Sequence, residues 1–396
     1  MHSSDKNTEQ MNTVTGAGNA GTAVTGDKKG RRNSLIRLVI FLFLLWGISR
    51  VLSFVMMLPL GYSRTIMHES LDRDYDCIVV GSSEAMYAFD TAVFDEIRGT
   101  DSFILGTEAT YLNGGEWAAF NDYMKDHKGE HAPKTVIVMQ GNFEILNSGD
   151  EDPTSYSLLM PCLNNLSSKA DYYVRVCKAD GLWLERLLYW KDAISTDVAE
   201  NVRVKLSAAY RDNGYRIEDE NIQYLGKGQI RRDHVIKENV IDYTAAMPGD
   251  MEKITDYDPE VSIEDINSVY PDTLREIARI CKDNDIRLIT VTAPLPVTEY
   301  YDKEYYLRHL VLDQMSEELD IEFYDLNMAS DSLYSPDPYG FYDNYHTNDI
   351  GARIYTESLA GLLDAVDNGE DMSGSFITWE ETCHRAEKFL FGKDAD

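Results

Sequence analysis

Two segments far apart in the chain carry residue types suited to nucleophilic chemistry. The first, Cys77-Ile-Val-Val-Gly81-Ser82-Ser83-Glu84, runs from an apolar β-branched stretch into a glycine and two serines. A serine just past the carboxyl end of a parallel strand lies in the crevice where α/β sheets take ligands. A helix starting there would turn its positive dipole end toward the hydroxyl. Taken alone, the same residues also read as an ordinary turn and helix N-cap. The second segment, Tyr342-Asp343-Asn344-Tyr345-His346-Thr347-Asn348, spaces an acid and an imidazole so that they can meet within one turn. The aspartate would fix the imidazole tautomer and stabilise the imidazolium, leaving the other ring nitrogen to take a serine proton. An exposed Asp–His contact at a helix start is the plainer reading of that pair.

Two more segments end in residues that could serve an oxyanion. Ser102-Phe-Ile-Leu-Gly106-Thr-Glu-Ala109-Thr is a strand leading into a glycine-containing loop, able to aim a backbone N–H at developing charge. Val136-Ile-Val-Met-Gln140-Gly141-Asn142 is a buried strand ending in Gly-Asn, where a side-chain amide could donate a second bond or simply cap a helix.

All four blocks, in this order, resemble the SGNH (GDSL-type) hydrolase superfamily over roughly residues 75–365. Overlaying Gly81-Ser82-Ser83 on that family's Gly-Asp-Ser implies Ser83 as nucleophile, with Ser82 as the alternative. The resemblance further implies His346 as base and later acid, Asp343 as its orienting partner, and Asn142 and the Ala109 loop N–H as oxyanion donors. Two positions depart from the pattern. Ser82 stands where the family has aspartate, and Ala109 where it has its oxyanion glycine, with Gly106 the counterpart under a shifted alignment. An alanine keeps the backbone donor without strain only if its φ is negative. The Gly-Ser-Ser-Glu form resembles the DltD-like and alginate O-acetylation-like members. The implied activity is that of an esterase or O-acyltransferase needing no cofactor or metal. Its implied substrates are acyl groups on an envelope polysaccharide or teichoic acid, with a membrane-bound O-acyltransferase as expected partner. A non-catalytic accessory protein that keeps the fold is the competing expectation.

These blocks need elements to position them. Short Val- and Ile-rich runs predict strands at 76–81, 102–105, 134–140, 287–292 and 321–325, with helical patterns at 114–127, 263–283, 303–318, 349–365 and 376–390. Strand alternating with helix predicts one doubly wound α/β sheet, and the resemblance to the SGNH superfamily implies a three-layer sandwich around a central parallel sheet of about five strands, flavodoxin-like. Residues 147–260 break the rhythm and read as an insertion over the sheet. The expected plan is a domain over 75–370 carrying that insertion, followed by a C-terminal helix and tail over 371–396.

Before this domain, residues 1–32 form an expected disordered tail, rich in Ser, Thr, Gly and Asn. The apolar run from Leu35 to Leu60 predicts one transmembrane helix over 33–60, and the basic cluster from Lys28 to Arg32 predicts a cytoplasmic N-terminus and an extracellular domain. A signal peptide is the competing reading, disfavoured by the length of the run and the lack of a small-residue cleavage site. Arg37 can snorkel; Arg50 reads as lying at the outer interface or as touching another membrane protein. Residues 61–74 read as a polar stalk.

A formal charge of −31 argues against nucleic acid as a partner. The five cysteines form no CxxC pair; Cys162 with Cys177 is the one pair considered for a bridge. Asp72, Asp74 and Asp76 cluster, as acids do by chance among 68 acidic residues, so a metal there is not expected. The tyrosines of Leu333–Tyr342 could stack on sugar rings or simply pack their loop.

Overall fold

The computed structural model describes residues 28–141, 151–212, 222–232, 263, 269–297, 303–337, 339–343 and 345–391. It divides into two units, Met1–Val51 and Leu52–Asp396. The first contains most of a helix, Lys28–Met56. Its stretch Arg32–Met56 contains an 18-residue window of mean hydropathy 2.3 with none of it buried, and is long and apolar enough to cross a membrane.

The second unit is built on a parallel sheet. Its strands are β1 (Cys77–Gly81), β2 (Ser102–Gly106), β3 (Thr135–Gln140), β6 (Arg287–Thr292) and β7 (Glu322–Tyr324), in the order β2-β1-β3-β6-β7. β4 (Ile222–Gly226) and β5 (Gln229–Arg232) form a separate antiparallel hairpin. Every residue of β1 and β2 is buried, which is why these strands read as unbroken apolar runs rather than alternating ones.

The order decides where the helices go. The step from β1 to β2 runs one way along the sheet, and the later steps run the other way. Right-handed crossovers then send their helices to opposite faces. The packing agrees: Ser83–Ala88, Thr91–Arg98 and Asp349–Asp367 pack together. Trp117–Asp126, the π-helical turn Leu112–Glu116, Tyr270–Asp283 and Lys303–Leu319 make the other group. In Tyr270–Asp283 the buried side chains Leu274, Ile277 and Cys281 recur at helical spacing, while Arg275 and Arg279 pair with acids at the surface. Truncating Ile277, which is fully buried, to alanine would cost about 2–5 kcal/mol.

The reversal of strand order falls between β1 and β3, so the carboxyl ends of these strands open a crevice there. Gly81 is required at the end of β1. A Cβ on it would meet Ala85 Cβ at 2.6 Å and the Met139 carbonyl oxygen at 2.9 Å.

Several segments differ from the sequence expectations. Residues 61–74 are not a stalk: Tyr62–Glu69 is a helix that buries Tyr62, Ile66 and Met67 in the main core. Its apolar residues fall on one face, a pattern masked by the polar residues between them. Met57 and Leu60, assigned to the transmembrane run, are buried in the second unit. In the described parts of 147–260, read from the sequence as an insertion over the sheet, there is no such difference: Tyr156, Leu159, Tyr172 and Val176 join the same core cluster as the sheet. All five cysteines are free and buried, Cys162 and Cys177 included. Asp74 faces His131 at 2.7 Å, and Asp76 faces Lys134 at 2.7 Å.

Candidate active site

At the end of β1 the chain passes from strand to helix within two residues. Ser82 is the N-cap of Ser83–Ala88, and its Oγ accepts the Glu84 backbone N–H at 3.3 Å. That hydroxyl is committed to the cap, and Ser82 as a whole is 8% exposed. Ser83, the first helical residue, faces the crevice: its Oγ lies 2.9 Å from His346 Nε2. The local fold therefore separates the two serines by task.

His346 comes from the loop before Asp349–Asp367. The loop is pinned at both ends. Phe341 and Thr347 form a β-bridge, and the Tyr342 N–H donates to the His346 carbonyl at 2.8 Å. Thr347 Oγ1 donates to the Tyr87 carbonyl at 2.9 Å, tying the loop to the helix that bears Ser83. Asn348 then caps the following helix by accepting from the Ile350 and Gly351 N–H groups.

Asp343 lies 3.0 and 2.9 Å through its two oxygens from His346 Nδ1. Its Oδ1 also accepts the backbone N–H of Tyr345 at 2.9 Å and of His346 at 2.8 Å. Burial raises the Asp343 pKa, but the imidazole and these two N–H groups outweigh it and hold the carboxyl below its ordinary value. An ionised aspartate on Nδ1 keeps the ring proton there, so Nε2 is free to accept from Ser83. Hydroxyl, imidazole and carboxylate thus form a connected line along which one proton can move from serine to imidazole.

The oxyanion side is only partly described. Asn142 lies outside the described residues; the chain is described up to Gly141, which is buried. Ala109 does not have the negative φ that an unstrained alanine needs. Its φ is +52°, in the left-handed region. The turn from β2 into the π-helical segment demands that conformation, and Ser155 Oγ holds it by donating to the Ala109 carbonyl at 2.6 Å. The residue takes up a glycine's geometry with a side chain attached, at about 1–2 kcal/mol of strain. Gly106, the alternative counterpart, is the last residue of β2, paired with Gly81.

Two residues at the site were not singled out from the sequence. Arg232, at the end of β5, places its guanidinium 3.9 Å from the Tyr342 ring centre and 4.7 Å from that of Tyr87. One of its nitrogens is 3.8 Å from Asp343 Oδ2. Tyr87 in turn meets the His346 ring edge-on at 5.0 Å. Burial raises the Tyr87 pKa against the opposing pull of Arg232, so its hydroxyl stays protonated. The run Tyr224-Leu-Gly226-Lys227-Gly228-Gln229-Ile230 carries a hairpin signal that could have located Arg232. Of the loop tyrosines, Tyr334 is core and packs on Tyr355, Tyr342 carries Arg232, and Tyr339 is 57% exposed.

Comparison of the sequence with models of known protein families and with curated proteins finds no match to either.

Proposed function

We propose that this chain is a membrane-anchored serine esterase or O-acyltransferase of SGNH type, acting outside the membrane. The observation that carries this reading is the 2.9 Å approach of Ser83 Oγ to an imidazole whose far nitrogen is held by Asp343. The position of this line at the strand-order reversal supports it further.

In this mechanism the Ser83 oxygen attacks an ester or thioester carbonyl as its proton passes to His346 Nε2. The carbonyl π electrons move to oxygen, giving a tetrahedral oxyanion. Collapse expels the alcohol or thiol, which leaves with the proton from His346, and an acyl-serine remains. Water or a glycan hydroxyl then repeats the sequence with His346 as base, releasing an acid or an acylated product. The proposed substrate class, an acylated envelope polysaccharide or teichoic acid, and the proposed partner, a membrane-bound O-acyltransferase, are those implied by the subgroup that the Gly81-Ser82-Ser83-Glu84 form and the N-terminal anchor resemble.

An uncleaved anchor is supported by the way residues 53–57 are built into the outer unit. Lys205 Nζ donates to the carbonyls of Ser53 and Phe54, at 3.2 and 3.0 Å, and to that of Met57. Asn201 Nδ2 donates to the Val55 carbonyl at 2.6 Å, and the Ser195 N–H to that of Met56 at 2.7 Å. Cleavage after the apolar run would leave Lys205, which is 7% exposed, without these acceptors.

Treating the full chain in detergent with a fluorophosphonate tests the site. Labelling of the native chain, lost in both Ser83→Ala and His346→Ala, is the expected result. Labelling that persists in Ser83→Ala removes the mechanism; a folded native chain that never labels favours the non-catalytic accessory role.

A further inference from the structure

The end of the apolar helix is surrounded by side chains that suit neither water nor a closed core. Phe54 is 43% exposed and Leu58 is 40% exposed. Beside them, Ile194 is paired with Met57 in a β-bridge and is 45% exposed. Leu206 follows the lysine that binds the carbonyls at 53, 54 and 57, and is 61% exposed. The helix Trp183–Leu187 leads into the turn whose Tyr189 hydroxyl accepts from Ser53 Oγ at 3.4 Å. That helix turns Arg186 inward, where it pairs with Asp180 and is 4% exposed. It turns Leu184 and Leu187, one turn apart, outward at 75% and 53% exposure.

We infer that this face of the outer unit is a bilayer-seating surface: Leu184, Leu187, Ile194 and Leu206 enter the headgroup region of the membrane that the helix crosses. The inference rests on reading Arg32–Met56 as a membrane span. Continuity of the chain carries it: Ile194 bridges Met57, the helix ending at Leu206 donates from Asn201 and Lys205 to carbonyls at 53–57, and the turn that follows Leu187 reaches Ser53 through Tyr189. Length supports it. Twenty-five helical residues reach about 37 Å, more than the roughly 30 Å hydrocarbon core, so the helix's outer end lies at headgroup level. Large apolar side chains gathered at that level bury their surface in the acyl boundary, as an interfacial helix does. Seating the unit in this way would hold it against the bilayer rather than let it swing on a tether.

Single reporter thiols in the full chain test the surface. All five native cysteines are buried, so an introduced cysteine is the one that takes an environment-sensitive fluorophore. The variants are Leu184→Cys, Leu206→Cys, Leu42→Cys within the helix, and Glu370→Cys as a water-facing control. Each is reconstituted at one chain per phosphatidylcholine vesicle, with and without nitroxide-bearing lipid. The expected result is blue-shifted emission at 184 and 206, with quenching by the nitroxide lipid several-fold above that at 370. Quenching at 42 with 184 and 206 behaving like 370 rejects the surface and keeps the span. No quenching at 42 rejects the span itself. A blue shift at 184 and 206 without lipid quenching shows that protein covers the face, and also overturns the inference.

Discussion

Replacing Glu151 by glutamine should stabilise the protein, and more so as the pH rises. The Glu151 side chain is 3% exposed and packs against Gly114, where a Cβ would meet its Oε2 at 1.6 Å. Tyr172 donates its hydroxyl to Oε1 at 3.1 Å, and Oε2 has no partner among the described residues. Burial pushes the Glu151 pKa from 4.5 to about 8, against the opposing pull of Tyr172, the Gly115 N–H and Arg186. Below pH 4.5 the carboxyl is protonated in both the folded and the unfolded chain and contributes no pH dependence. Between pH 4.5 and 8 the unfolded chain releases this proton and the folded chain keeps it, so stability falls as pH rises. At 1.36 kcal/mol per pH unit the loss is about 3 kcal/mol at pH 7. Glutamine has no proton to release, and its carbonyl can still accept from Tyr172. Urea unfolding of the native chain and of Glu151→Gln in the same detergent should therefore give a difference near zero at pH 4. That difference should grow toward about 3 kcal/mol at pH 7. Other titrating groups contribute equally to both proteins and cancel. A difference that does not change with pH, or that shrinks as pH rises, would refute the reasoning.

Three further outcomes follow from the site. Asp343→Asn should leave the fold intact and lower the rate of Ser83 labelling by a factor of about ten thousand, because an amide can no longer hold the ring proton on Nδ1; labelling within tenfold of native would exclude that role. Ala109→Gly should relieve about 1–2 kcal/mol of left-handed strain and add about 0.4–1 kcal/mol of unfolded-chain freedom, a net gain of about 0.5–1 kcal/mol in urea, with labelling essentially unchanged. Arg232→Ala should slow labelling about tenfold and Arg232→Lys should not restore it, since an ammonium keeps the charge beside Asp343 but loses the planar stacking on Tyr342 and Tyr87; full rescue by lysine would show that charge alone matters.

The strands were legible because buried parallel strands must be apolar on both faces. Cys77–Gly81 and Val136–Met139 announce themselves as unbroken runs, while the shorter edge strand Glu322–Tyr324 has weaker borders. The Asp343–His346 pair was legible for a local reason as well, since both partners lie in one turn. The helix Tyr62–Glu69 was not: its few apolar residues acquire meaning only from the core that receives them. Arg232 was hidden likewise, because nothing near it in the chain names Tyr87 or Asp343 as neighbours.

What the amino-acid order determined by itself is the periodicity, the turn chemistry, the apolar length of Arg32–Met56 and the short-range acid–imidazole pairing. These depend on residues within a few positions of one another. The tertiary structure alone decided which serine faces the imidazole, which φ Ala109 must adopt, and which cation joins the site. Ser83 and His346 are 263 residues apart in the chain. They meet because the sheet's strand order brings the end of β1 to the loop before the Asp349–Asp367 helix, and strand order is set by the packing of the whole core.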